Sequence, residues 1–257
     1  MLICCSLYLI NFYCFYLDYL YILISAEFIM GKISAGSYDL NRWLFGGYEQ
    51  DIVTVIYGDS GTGKTNFCLL AAVSQARKGN KVIFIDSEGG FSVERLKQLA
   101  DKDYEKVLEN ILLLKPTNFN EQKKSFDELL RYLKNEISLI IVDGMTILYR
   151  LDFASAREKG GKEMQKINSE LARQIKTLAE ISRKRNIPVI LTNQVYNWND
   201  EVKMIGGDSL RYWSKCHIEL VKEDGKRPAY LRRHRSMGEK SFPFQIIESG
   251  IRKRGWL

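Results

Sequence analysis

The stretch Ile52-Val53-Thr54-Val55-Ile56-Tyr57-Gly58-Asp59-Ser60-Gly61-Thr62-Gly63-Lys64-Thr65 joins an apolar, β-branched run to a glycine-rich turn that closes on Lys-Thr. The run reads as a strand buried on both faces. The turn fits G-x-x-x-x-G-K-[ST] and sits where that pattern has a mechanism, after a strand and at the opening of a helix expected over Gly63 to Lys78. Glycines let successive backbone N–H groups curl around a phosphate chain, and the helix start adds the positive end of its dipole. Gly58, Asp59, Ser60, Gly61, Thr62, Gly63, Lys64 and Thr65 are therefore the expected nucleotide cradle. Lys64 is placed to reach the β- and γ-phosphates and Thr65 to ligate Mg²⁺, which makes ATP and Mg²⁺ the expected ligands.

Outward from this turn, short apolar runs alternate with helical patterns. Strands are expected at Ile52 to Tyr57, Lys81 to Ile85, Ile111 to Leu114, Leu139 to Val142 and Pro188 to Thr192. Helices are expected at Gly63 to Lys78, Ser92 to Ala100, Glu121 to Asn135 and Lys162 to Arg185. The last carries Ile167, Leu171, Ile175, Leu178 and Ile181 at spacings of three and four, a core-facing stripe. After Gln194 the pattern turns strand-like at His217 to Val221, Ala229 to Arg233 and Phe242 to Ile247, with a turn signal at Glu223-Asp224-Gly225. The predicted fold class is α/β, a mostly parallel sheet flanked by helices with a C-terminal antiparallel extension. At 257 residues the chain suits one such domain, and a second large one is not expected.

Three further segments carry chemistry. Leu139-Ile140-Ile141-Val142-Asp143 is an apolar strand ending in a carboxylate, the Walker B form, in which Asp143 holds the hydration shell of Mg²⁺. Ile85-Asp86-Ser87-Glu88-Gly89-Gly90-Phe91 ends another strand in acids, and Glu88 is the candidate to orient and deprotonate an attacking water. The bland alternative is that Asp86 and Glu88 solvate a strand end or cap the helix starting near Ser92. Asn193-Gln194-Val195 places amides at the carboxyl edge of a strand, where open α/β sheets bind ligands, and Gln194 is a candidate sensor of the γ-phosphate. The catalytic set is thus Lys64, Glu88 and Gln194, with Thr65 and Asp143 for the metal.

The formal net charge of +7 points to a polyanionic partner, nucleic acid or an anionic membrane surface. Two segments expected to be loops combine cations with aromatics: Tyr149 to Lys166, with Arg150 and Arg157, and Tyr196 to Ile205, with Tyr196, Trp198 and Lys203. Cations neutralise phosphates and aromatics stack on unpaired bases, so these are candidate DNA contacts; the alternative is a pair of solvated loops. The basic runs Arg232-Arg233-His234-Arg235 and Arg252-Lys253-Arg254 are balanced between a DNA patch and a solvated, aggregation-resistant edge. The five cysteines form no CxxC pair, as expected of a reduced, cytosolic protein.

Residues 1–29 differ from the rest, being rich in Leu, Ile, Tyr and Phe and without a cation. A membrane anchor, a signal peptide and a mis-assigned start ahead of Met30 compete as readings. Asn11 and Asp18 interrupt the apolar run, and a positive start and a small-residue cleavage site are missing, so the mis-assigned start is favoured. The expected organisation is an apolar extension over 1–29 and an ATPase domain over 30–257, with no membrane partner unless residues 1–29 are translated.

The chain resembles the RecA-like ATPase core of RecA/RadA-type recombinases. The resemblance rests on Ile33-Ser34-Ala35-Gly36-Ser37 and Leu40 to Gly47 as the lead-in, the P-loop, Ile85 to Phe91 with Glu94-Arg95, Asn193-Gln194-Val195, and Gly206-Gly207-Asp208 with Tyr212-Trp213, in that order. The chain length and the block Gly206 to Lys215 are closer to the archaeal RadB paralogues than to RadA. The resemblance implies the roles given above for Lys64, Thr65, Glu88, Asp143 and Gln194. It also implies DNA, single-stranded or branched, as a partner, together with recombination proteins such as a RadA-type recombinase or a junction resolvase. The helical DNA-binding domain and Phe-x-x-Ala linker of RadA-type proteins find no room between Met30 and Ile33. Phe153-Ala154-Ser155-Ala156 matches that motif only as letters. The expected function is a weakly hydrolysing, ATP- and DNA-binding accessory protein of homologous recombination. The alternatives are a DNA-stimulated recombinase and a regulatory ATPase acting on protein partners.

Overall fold

A computed structural model describes residues 31–255 except 135, 199, 200, 224 and 225, and leaves aside the side chains of 197, 198, 201 and 202. The reading of residues 1–29 lies outside the described residues. So do Asp224 and Gly225 of the expected turn; its flanks, Glu223 and Lys226, form an antiparallel bridge.

The apolar runs become the strands of one sheet because each is apolar on both faces. They are β1 (Val53–Gly58), β2 (Lys81–Asp86), β3 (Ile111–Leu114), β4 (Ile137–Asp143) and β5 (Val189–Asn193). Alternate residues supply opposite cores. Ile56, Val82, Phe84, Ile141 and Ile190 pack on one side with Phe67, Leu69 and Leu96, from helices α2 (Lys64–Ala76) and α3 (Val93–Ala100). Val55, Ile83, Ile85, Val142 and Leu191 pack on the other with Phe126 and Leu129 of α5 (Phe119–Tyr132) and with Ile175 and Leu178 of α7 (Gly161–Arg185). The period of two explains why the strands read as unbroken apolar runs. The stripe on α7 is core, with Leu171, Ile175, Leu178 and Ile181 all buried.

Two further short helices, α1 (Tyr38–Trp43) and α4 (Tyr104–Glu109), were not expected from the sequence. Beyond β5 the chain forms a two-stranded ribbon, β6 (Val195–Trp198) and β7 (Glu201–Met204), and a short helix, α8 (Gly207–Trp213). It then returns to the sheet as β8 (Cys216–Leu220), β9 (Arg227–Arg233), β10 (Lys240–Ile247) and β11 (Gly250–Lys253). The sheet order is β11-β10-β9-β8-β1-β5-β4-β2-β3. β8 runs parallel to β1, and the antiparallel extension begins at β9.

Two segments expected to be loops are not. Tyr149 to Lys166 is helical: α6 spans Ile147–Lys159, and the chain re-enters a helix after one residue, Gly160. No Gly or Pro interrupts Ile147 to Lys159, and the glycine pair at Gly160-Gly161 marks a joint between helices instead of a flexible tract. Tyr196 to Ile205 is mostly the β6–β7 ribbon, its base held by the Asn193 Nδ2 hydrogen bond to the carbonyl of Ile205 at 2.8 Å. Phe153 to Ala156 lies inside α6, where Ala156 is buried and the Phe153 ring packs 5.5 Å from that of Tyr149.

Candidate functional site

Strands β1, β2, β4 and β5 end side by side, because they are parallel and in register, with Asp86 opposite Asp143 and Tyr57 opposite Asn193. Every loop leaving a carboxyl end at this edge therefore meets the loop after β1. That loop leads into α2, whose first turn carries Lys64 and Thr65. Gly58 opens it with φ +150°, and a Cβ there would lie 2.1 Å from the carbonyl oxygen of Leu220, so the residue beside β8 has to be glycine.

Lys64 Nζ donates to the carbonyls of Gly58 at 2.9 Å and Asp59 at 2.8 Å, and the Thr62 hydroxyl donates to Asp59 O at 2.9 Å. These bonds tie the loop to its own lysine. The backbone N–H groups of Gly61, Thr62, Gly63, Lys64 and Thr65 take no acceptor among the described residues. Burial pushes the Lys64 ammonium below its ordinary pKa, with Glu88, Asp143 and Asp59 opposing the shift.

Asp143 is fully buried. Its Oδ2 accepts from the Thr65 hydroxyl at 2.7 Å and its Oδ1 from the Thr192 hydroxyl at 2.6 Å. Burial raises its pKa to about 6 against the pull of those two hydroxyls, and Glu88 and Asp86 add repulsion. Thr192 also accepts from Gly144 N at 2.7 Å, which fixes the turn leaving β4.

The two acids after β2 divide. Asp86 accepts from the amides of Gly90 at 3.0 Å and Phe91 at 3.1 Å and so shapes its own loop, while Ser92 caps α3 by accepting from Arg95 N at 3.1 Å. Glu88 instead reaches across the site: its Oε1 accepts from Gln194 Nε2 at 3.2 Å, and its Oε2 is buried with no partner among the described residues. Gln194 Oε1 in turn accepts from Arg150 Nη1 on α6 at 3.4 Å.

These residues fit a magnesium–nucleotide pair. The unengaged amides suit phosphate oxygens, the Thr65 hydroxyl and the Asp143 carboxylate converge as hard oxygen donors, and Glu88 Oε2 is an acceptor without a proton to accept. Gly90 keeps the space beside them: a Cβ there would lie 3.0 Å from Thr65 Oγ1 and 3.4 Å from Asp143 Oδ2.

The candidate DNA contacts lie on α6 and the ribbon. Arg150 and Arg157 are seven residues apart on α6 and so share a face. Tyr196 and Lys203 are register partners across the ribbon, and Tyr196 is exposed. The backbone of Trp198 closes β6; its side chain lies outside the described residues. The run Arg232 to Arg235 is not one patch. Arg232 pairs with Glu219 at 2.6 Å, and Arg235 with Glu49 and Asp51, each at 2.6 Å.

Sequence reading missed Thr192 and the Arg150 contact. Thr192 sits within the expected strand, but only the pairing of β4 with β5 brings it to Asp143. Among the described residues no helix is long and apolar enough to cross a membrane.

A profile of the Rad51 family matches residues 27–254. Relatives bearing the name DNA repair and recombination protein RadB align over 82% of the chain: that of Methanocaldococcus jannaschii is 41% identical with 98% of its own length covered, and that of Methanobrevibacter smithii is 40% identical with 92% covered. The protein of the same name from Methanococcus maripaludis strain C7 is 37% identical with 96% covered.

Proposed function

The chain belongs to the Rad51 family, within its RadB branch, and from that premise we propose that it binds ATP and DNA as an accessory protein of DNA repair and homologous recombination. It acts in the cytoplasm as a slow ATPase whose nucleotide site serves as a switch, regulates the processing of branched DNA, and leaves strand exchange to a RadA-type partner.

One observation carries this reading. Gln194 joins the two halves of the molecule's work: its amide nitrogen meets Glu88 in the nucleotide site, its oxygen meets Arg150 on α6, and its backbone leads straight into the ribbon. A group so placed responds to the γ-phosphate and passes the response to both DNA-facing elements.

Glu88 orients the attacking water and takes its proton as the water oxygen bonds to the γ-phosphorus and the bond to the leaving ADP oxygen breaks. Lys64 leaves the carbonyls of Gly58 and Asp59 to hold the phosphates. Magnesium, held by Thr65 and through Asp143, supplies neutralisation of the β- and γ-phosphate charge. Slow turnover follows from Glu88 being held by Gln194, which leaves the carboxylate turned to the amide and not to a water until that contact loosens.

The test is DNA binding titrated with salt, with and without ATP, beside a turnover assay. ATP is expected to change DNA affinity by about 5-fold or more, the lower range of ordinary allosteric coupling. Coincident binding curves would remove the switch. Strong stimulation of turnover by single-stranded DNA would replace this reading with that of an active recombinase.

A further inference from the structure

The sheet has a second functional edge. β8 starts beside the start of β1, with Lys215 N donating to Val53 O at 3.1 Å and Cys216 paired with Thr54. This amino edge lies a full strand length, about 17 Å, from the P-loop at the far end of β1. Here the end of α7, the helix α8 and the end of β9 enclose a cleft of about 540 Å³ lined by Arg183, Arg211, Lys215 and Arg233.

Those four cations are treated differently from their neighbours. Arg232, Arg235 and Arg173 each hold a carboxylate within 2.7 Å. Among the described residues Arg183, Arg211, Lys215 and Arg233 hold none, although Asp208 stands on the same cleft. Arg233 and Lys215 are steered inward by backbone carbonyls: Arg233 Nη1 donates to Arg211 O at 2.8 Å and Lys215 Nζ to Tyr212 O at 2.9 Å. The cost of assembling them shows in the groups around them. Lys215 is pushed below its ordinary pKa by burial and then by Arg233 and Arg183. The buried imidazole of His217 is pushed down to about 4 by burial and then by Arg233, Arg211 and Lys215. An anion in the cleft relieves that repulsion.

The aromatic lining narrows the anion. Tyr212 is 70% exposed, braced edge-on by Trp213 at 5.1 Å, with Lys215 5.9 Å from its ring centre. A fixed, solvent-facing ring beside converging cations is the pairing that takes a base and its phosphates together, which neither inorganic phosphate nor a carboxylate-bearing peptide uses in full. We propose that the cleft formed by Arg183, Arg211, Lys215, Arg233 and Tyr212 is a second nucleic-acid site, holding single-stranded phosphodiester on the cations and one base on Tyr212, at the edge of the sheet opposite the nucleotide. The choice of ligand rests on the reading of the chain as a DNA-binding protein; the cleft itself does not.

The variant Arg183→Ala/Arg211→Ala removes two charges from exposed side chains that make no hydrogen bond among the described residues. The anisotropy of a labelled oligothymidylate is followed across a salt series for wild type, for this variant, for Tyr212→Ala, and for the ribbon variant Tyr196→Ala/Lys203→Ala, each checked for an unchanged thermal midpoint. The charge variant is expected to bind about tenfold more weakly at low salt, and the slope of log affinity against log salt falls by about 1.4, near 0.7 for each lost contact to a single strand. Tyr212→Ala weakens binding with the slope unchanged, and an iodouracil-substituted strand crosslinks to the peptide containing Tyr212. Wild-type affinity and slope in the charge variant, with binding lost in the ribbon variant, would overturn the cleft and leave the proposed function standing. No binding by wild type would remove both. Displacement of the strand by polyglutamate with no crosslink to Tyr212 would make the cleft an acidic-peptide site and overturn the proposal.

Discussion

Asp143 combines complete burial with contact to two hydroxyls and repulsion from two acids, and its pKa of about 6 has a consequence with a definite sign. The folded value lies above the ordinary 3.8, so between about pH 4 and 6 the folded chain holds more protons than the unfolded one. The contribution of Asp143 to stability is therefore most favourable below this window and falls as pH rises through it. At pH 7.5 without magnesium, Asp143→Asn should raise the unfolding free energy by about 2 to 3 kcal/mol, the equivalent of two pKa units. The advantage of the variant should vanish by pH 4, where Asp143 is protonated in both states; His217 shifts both chains alike, so the difference between them isolates Asp143. Urea unfolding at the two pH values checks both, and a variant no more stable than wild type at pH 7.5 sinks the argument. The residues legible in the sequence at this scale, Lys64, Thr65, Glu88, Asp143 and Gln194, sit in local motifs or at strand ends. Thr192 was hidden because its role comes from strand pairing across 49 positions, which no local pattern encodes.

Among the elements, the contact between β1 and β8 is the tightest constraint on the nucleotide loop. Gly58→Ala places a methyl 2.1 Å from the Leu220 carbonyl at a backbone angle that side chains rarely adopt. The cost should be about 2 to 4 kcal/mol, strain and overpacking together. The loop should move with it, so ATP affinity falls alongside the urea midpoint; a variant with wild-type midpoint would show that β8 is not seated as described. The strands of the parallel core were readable because burial on both faces leaves an unbroken apolar run. α6 was not: only Leu148 and Ala156 are buried on it, Leu151 is 63% exposed, and so it lacks the apolar period that marks α7. The ribbon escaped because its base is held by Asn193 reaching the Ile205 carbonyl, a contact across 12 positions that no local pattern announces.

Across the whole molecule the sheet sets the two proposed sites at opposite edges. The P-loop, Gln194, ribbon and α6 share the carboxyl edge, while the cleft of Arg183, Arg211, Lys215 and Arg233 occupies the amino edge. The order of the strands, with β1 between β5 and β8, creates both edges, and no stretch of sequence declares it, because the cleft draws its cations from α7, α8, the bend before β8 and β9, spread from Arg183 to Arg233. Coupling needs a group that differs between nucleotide states, and Gln194 leads directly into the ribbon, whereas the amino edge lies beyond the Ile205 N–H bond to the Gln194 carbonyl at 3.3 Å and the whole length of α8. DNA held through the ribbon should therefore respond to ATP, and DNA held in the cleft should not. In the variant Arg183→Ala/Arg211→Ala the remaining DNA affinity should change with ATP by the full coupling factor, about 5-fold or more. In Tyr196→Ala/Lys203→Ala the ATP dependence should shrink, and what remains of it comes through Arg150 on α6. Linkage supplies the reciprocal check, since DNA should then tighten or weaken ATP by the same factor in the cleft variant and by a smaller one in the ribbon variant. Equal ATP dependence in both variants would mean that the two edges communicate through the sheet itself, and the division of labour drawn from Gln194 would be wrong.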